Sequence, residues 1–76
     1  MPHIHVKIVG KTEDEKGRLA KSITKAVMDS IGASEANISI SVEDIDKADW
    51  VENVYKPDIV GHWDLLYKKP GYDPLK

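Results

Sequence analysis

Pro2 has the most distinctive chemical prospect in the chain, because its nitrogen becomes a secondary amine once Met1 is removed. A terminal secondary amine is compact, rigid and basic. Burial beside another cation lowers its pKa toward neutrality by disfavouring the charged form, and a proton-transfer group works best with a pKa near the operating pH. The alternative is that a proline here only begins a strand, where no ladder donor is needed.

Other groupings offer less. His3 and His5 are one residue apart and project from one face of a strand, so a metal site completed by His62 is conceivable. A polar face on a partly solvated sheet accounts for them more simply, and no metal is expected. Asp44, Asp46 and Asp49 lack the glycine and terminal glutamate of a calcium loop and read as a solvated turn. Tyr67 and Tyr72 are able to donate to a substrate oxygen, although packing is the simpler role. No glycine-rich phosphate loop, nucleophile elbow or zinc-ligand spacing occurs.

The elements that must position these residues follow from periodicity. From Pro2 to Val9, Ile4, Val6 and Ile8 alternate with His3, His5 and Lys7, the period of a half-buried strand. Thr12 followed three residues later by Glu15 is a capping box. Leu19, Ile23, Ala26, Val27 and Ile31 then recur at helical spacing and Gly32 supplies the stop, predicting a helix over Glu13 to Ile31. A second strand follows, with Ile38, Ile40 and Val42 alternating against Ser39 and Ser41. Strand, helix and strand of these lengths make one β-α-β crossover unit with parallel strands and a right-handed connection, an α/β (α+β) class. Beyond an acidic turn, Trp50, Val51, Val54 and Tyr55 suggest a short helical piece. Pro57 suits the first turn of a further helix in which Ile59, Trp63, Leu66 and Tyr67 share a face, weakened at Gly61 and ended by Pro70 and Gly71. All five aromatic residues lie in this last third, which reads as a lid or an interface arm.

At 76 residues the chain is read as a single domain, 1–76, close to the size at which one core is only marginally stable. Two strands and one helix do not make an independently stable domain in water, so an obligate homo-oligomer is expected. A dimer is favoured, its sheet completed by edge-to-edge pairing with both helices on one face. The polar face of His3, His5, Lys7, Ser39 and Ser41 argues against further stacking. The net charge of -2 gives no electrostatic footprint for nucleic acid or an anionic membrane. Without cysteine, disulfides and thiolate metal sites are excluded. No signal-like segment opens the sequence and no apolar stretch approaches about 18 residues, so a cytoplasmic location is expected.

A proline directly after the methionine, opening a β-α-β unit in so short a chain, resembles the 4-oxalocrotonate tautomerase family. Val-Gly-Lys-Thr-Glu-Asp-Glu-Lys from Val9 to Lys16, the second strand at Asn37 to Val42 and the aromatic Trp50 are similar to that family in order and register. The start Met-Pro-His-Ile, the strand Ile-Ser-Ile, the Asp-Trp region and the ending Lys-Lys-Pro-Gly-Tyr resemble its dimeric bacterial branch with phenylpyruvate-type tautomerase activity.

The resemblance implies a cofactor-free keto-enol tautomerase acting on small 2-oxo acid enols, with the free Pro2 amine as general base and acid. It also implies substrate contacts. Lys11 falls where the family carries a cation for a substrate carboxylate, with a solvated loop lysine as the alternative. Trp50 matches an aromatic wall beside the proline, with core or interface packing as the alternative. Ser39 stands where better-known members place an arginine, a loss the dimeric branch shares. Arg18, the only arginine, reads as a surface charge. Two other readings stay open: a proline-dependent hydratase or dehalogenase of the same superfamily, and an oligomeric binding module without chemistry.

Overall fold

In the computed structural model, which describes residues 1–76, the alternating stretch His3–Ile8 forms β1 and Ser39–Asp44 forms β2. The strands pair in parallel, His3 opposite Ser39, His5 opposite Ser41 and Lys7 opposite Glu43. Side chains alternate across a strand, so these six residues share one polar face while Ile4, Val6, Ile8, Ile40 and Val42 share the other. The ladder is prolonged at both ends, by the Ser39 N–H donating to the Pro2 carbonyl at 3.2 Å and the Ile45 N–H to the Ile8 carbonyl at 2.9 Å.

The connection is α1, Glu13–Ile31. Its N-terminus is closed reciprocally: the Thr12 hydroxyl accepts from the Glu15 N–H at 3.1 Å, and the Glu15 carboxylate accepts from the Thr12 N–H at 2.9 Å. Gly32 ends it in the left-handed region at φ 70°, which glycine enters without steric cost, and its N–H donates to the Met28 carbonyl at 3.1 Å. Lys16 ties the helix to the sheet by reaching Asp44 at 2.7 Å as well as Glu13 at 2.7 Å. A short 3₁₀ turn, Glu35–Asn37, leads into β2.

The chain divides into two compact units, Met1–Ile45 and Asp46–Lys76. In the second, a 3₁₀ turn at Lys47–Asp49 precedes α2, Val51–Val60, a wide helix of the i→i+5 type. This corrects the expectation of two helical pieces separated at Pro57: one helix carries Pro57 in its interior. The wide turn spares the proline ring the collision with the i−4 carbonyl, here that of Asn53, which an α-helix would impose. The helix ends where the Gly61 N–H donates to the Lys56 carbonyl at 2.9 Å. A Cβ at Gly61 would run into the Pro57 carbonyl oxygen, so a glycine there permits a close approach of backbone to backbone. Beyond it only a short 3₁₀ turn, Trp63–Leu65, follows, and Ile59, Trp63, Leu66 and Tyr67 do not share a helical face. Val54 and Tyr55, each 4% exposed, are the buried side chains of the molecule. No helix is long and apolar enough to cross a membrane.

Candidate active site

Pro2 sits half-buried at the start of β1, its carbonyl held by the Ser39 N–H. Proline has no N–H to offer a ladder, so this strand end loses nothing by carrying it. Met1 beyond it is fully exposed, and its departure would cost no packing. With Met1 attached the Pro2 nitrogen is an amide and has no basicity; with Met1 removed it is an amine fixed to the end of a sheet.

Ser39 is the predicted site residue that the fold brings beside Pro2. Its hydroxyl lies 2.6 Å from His3 Nδ1. One pair further along, the Ser41 hydroxyl lies 2.7 Å from His5 Nδ1, and Glu43 reaches His5 Nε2 at 2.9 Å. The polar sheet face is thus a row of histidines each held by the serine opposite. Alternation within each strand was readable from the sequence; the pairing needed the register between strands.

Lys11 lies past the other end of β1, and a six-residue strand spans about 20 Å, so one chain does not bring Lys11 to Pro2. It lines a shallow pocket of about 190 Å³ with Ile8, Glu15, Lys16 and Leu19. Hydrogen bonds from the Thr12 backbone and hydroxyl hold the Glu15 carboxyl below its usual value. Hydrogen bonds to the Asp44 and Glu13 carboxylates push the Lys16 ammonium up, and commit it to them. Lys11 is therefore the cation of this pocket able to meet an incoming anion. Arg18 is exposed on α1.

Trp50 belongs to the second unit, half-buried at the start of α2. Its indole N–H donates to the Tyr72 hydroxyl at 3.0 Å. The rings of Tyr55 and Tyr72 lie 5.5 Å apart at 47°, and the Tyr55 hydroxyl donates to the Tyr72 carbonyl at 3.5 Å. Burial, assisted by Asp73 and Tyr72, pushes the Tyr55 phenol up. Sequence reasoning missed this cluster, since nothing local in the chain links positions 22 residues apart. Tyr67 is fully exposed, and Trp63 lies under the Lys69 ammonium at 5.5 Å.

Comparison with known proteins gives this arrangement its context. Residues 2–54 match the family model described as tautomerase enzyme. The chain is 41% identical over 76 residues to a probable tautomerase of Xylella fastidiosa, covering 99% of this chain and 93% of that protein. It is 36% identical over 74 residues to the tautomerase PptA of Pectobacterium carotovorum, covering 95% and 97% respectively. Among solved structures, a 4-oxalocrotonate tautomerase isozyme from Methylibium petroleiphilum superposes with a TM-score of 0.62 at 28% identity, over 64% of this chain and 81% of that one. YwhB, a homologue of 4-oxalocrotonate tautomerase, superposes with a TM-score of 0.58 at 36% identity, over 60% and 77%.

Proposed function

The chain belongs to the tautomerase family, and from that membership we propose that it interconverts the enol and keto forms of small 2-oxo acids, with the free amine of Pro2 carrying the proton. In ketonisation the amine takes the proton of the enol hydroxyl, and the resulting ammonium returns one to carbon two atoms away. An O–H bond breaks, a C–H bond forms and the double bond moves from carbon–carbon to carbon–oxygen. Nothing is oxidised and no cofactor is required. The observation that carries this reading is the placement of Pro2 at a strand end, anchored through its carbonyl, behind a fully exposed Met1. A cytoplasmic site of action and one functional domain over residues 1–76 are part of the same proposal.

The site is completed by a second copy of the chain. No side chain of Met1–Ile45 is buried, and a two-stranded sheet with one helix is marginal alone. Edge-to-edge pairing about a two-fold axis, with both helices on one face, makes the neighbouring strands antiparallel. The Pro2 end of one β1 then faces the far end of the partner strand, beyond which Lys11 lies. Lys11 would hold the substrate carboxylate and Ser39 would line the proline end.

One evident cation favours substrates with one carboxylate. A second carboxylate without a partner would forgo a charge-assisted contact of roughly 1.5–3 kcal/mol, or about one to two powers of ten in kcat/KM. Aryl enols such as phenylenolpyruvate should therefore be ketonised better than dicarboxylic dienols. The test measures kcat/KM for both classes with protein whose mass establishes loss of Met1, and with the Pro2→Ala variant. Activity that survives Pro2→Ala, or that belongs to protein retaining Met1, overturns the mechanism. A clear preference for the diacid overturns the substrate class.

A further inference from the structure

The two serine–histidine pairs on the polar sheet face differ in one respect, and that difference fixes a direction. Glu43 meets His5 Nε2 at 2.9 Å, and a carboxylate only accepts, so that nitrogen carries the ring proton. In the neutral ring Nδ1 is then a lone pair, and across 2.7 Å the Ser41 hydroxyl donates to it. Hydroxyl, imidazole and carboxylate thus form one hydrogen-bonded line. In such a line a base takes the proton of a serine while a third group holds the base in the right tautomer. His3 has the Ser39 hydroxyl at 2.6 Å on Nδ1, but no carboxylate meets its Nε2. The His5 and Glu43 side chains are 42% and 51% exposed, so water and a small solute reach the line. All three residues lie on the paired strands β1 and β2, which hold them in register.

We propose that Ser41 is a second reactive centre of the molecule, which hydrolyses small activated carboxylic esters with His5 as its base and Glu43 as a positioning residue. The Ser41 oxygen attacks the ester carbonyl as its proton passes to His5 Nδ1. A carbon–oxygen bond forms to Ser41, the bond to the leaving group breaks, and His5 gives its proton to the departing oxygen. Water then attacks the acyl-serine, its proton goes to His5 and from there back to Ser41. One ester and one water give one acid and one alcohol, and nothing is oxidised. The face is open and encloses no acyl chain, so the ester class is set by its leaving group, a phenol, rather than by shape. This activity needs neither the Pro2 amine nor the loss of Met1.

Ser39 serves as the comparison within the same molecule. It is the more exposed of the two serines, so access alone would favour it. An alkyl fluorophosphonate, which transfers its phosphonyl group to a serine and releases fluoride, is added to the parent protein, and fragment mass spectrometry follows the adduct at each position. Ser41 should react at least about tenfold faster than Ser39, and His5→Gln should slow it by roughly 10²-fold. Glu43→Ala should bring Ser41 down to the rate of Ser39, and Glu43→Gln, whose amide oxygen still accepts from Nε2, should restore part of the difference. A general loosening of the sheet would move both serines together. Ser41 no faster than Ser39, or indifferent to His5→Gln, overturns the proposal. Turnover is read as steady release of 4-nitrophenol from 4-nitrophenyl acetate, which Ser41→Ala should abolish with the helical circular dichroism unchanged. Release that stops when one acetyl group has been taken up at Ser41 would leave a nucleophile without hydrolysis and overturn the activity. Should Ser41→Ala unfold, the ratio of adducts in the parent protein decides.

Discussion

Met1–Ile45 is mostly strand and helix, with α1 capped at both ends, yet none of its side chains is buried. Asp46–Lys76 has a wide helix, two short 3₁₀ turns and an irregular end, yet it holds both buried side chains, Val54 and Tyr55. Backbone order and burial have different origins. The elements of the first unit are set by signals a few residues apart and joined by strand pairing across 36 positions, and its apolar side chains stay partly exposed. The second is ordered by aromatic contacts between residues far apart in sequence, which tolerate an irregular backbone. Under the proposed mechanism the first unit carries the base and depends on a partner for stability, while the second holds a small core of its own.

The strongest test of that division is Pro2→Ala, expected to lower kcat/KM by roughly 10²- to 10⁴-fold with the helical circular dichroism unchanged. A comparable loss from Trp50→Phe would break the division, because the second unit would then carry chemistry too. Next comes the small core. Val54→Ala deletes two buried methyl groups and should cost about 2–3 kcal/mol in chemical denaturation, whatever the protein concentration. If the first unit depends on a second copy, each tenfold dilution should lower apparent stability by about 1.4 kcal/mol. A denaturation midpoint indifferent to concentration would place the missing burial within one chain.

The smallest effect is local. Thr12→Ala should cost about 1 kcal/mol by opening the capping box, read as a shift in the same midpoint. The pH dependence has a definite sign here. The folded pKa of Glu15 lies below its ordinary value of 4.5, so its contribution is complete above that value and is lost as pH falls through the lower folded one. Thr12→Ala should flatten that acid limb. An unchanged limb would mean that the cap is not what lowers the Glu15 pKa.

The same contrast explains what could be read from sequence. The helix was legible to its end residues because Thr12, Glu15 and Gly32 mark both termini chemically. The strands were legible because Ile4, Val6 and Ile8, then Ile38, Ile40 and Val42, keep one period. Pro57 misled because proline at a first helical turn and proline inside a wide helix look alike in one dimension, and the i→i+5 pattern that separates them is set by hydrogen bonding. The Lys16–Asp44 bridge and the Trp50–Tyr72 pair join residues 28 and 22 apart, beyond any periodic signal. Pro2 stood out because its chemistry lies in its own ring. The distance of Lys11 from it did not, since spacing along a chain hides which end of a strand a loop occupies.

That separation along β1 has a genetic consequence. In a two-fold pair each catalytic centre would draw Pro2 from one chain and Lys11 from the other, so two different defects need not add. Pro2→Ala and Lys11→Ala proteins, each nearly inert alone, would on unfolding and refolding together give about half mixed pairs. In every mixed pair one centre carries both defects and the other carries neither. About a quarter of native activity would return from two inactive parents.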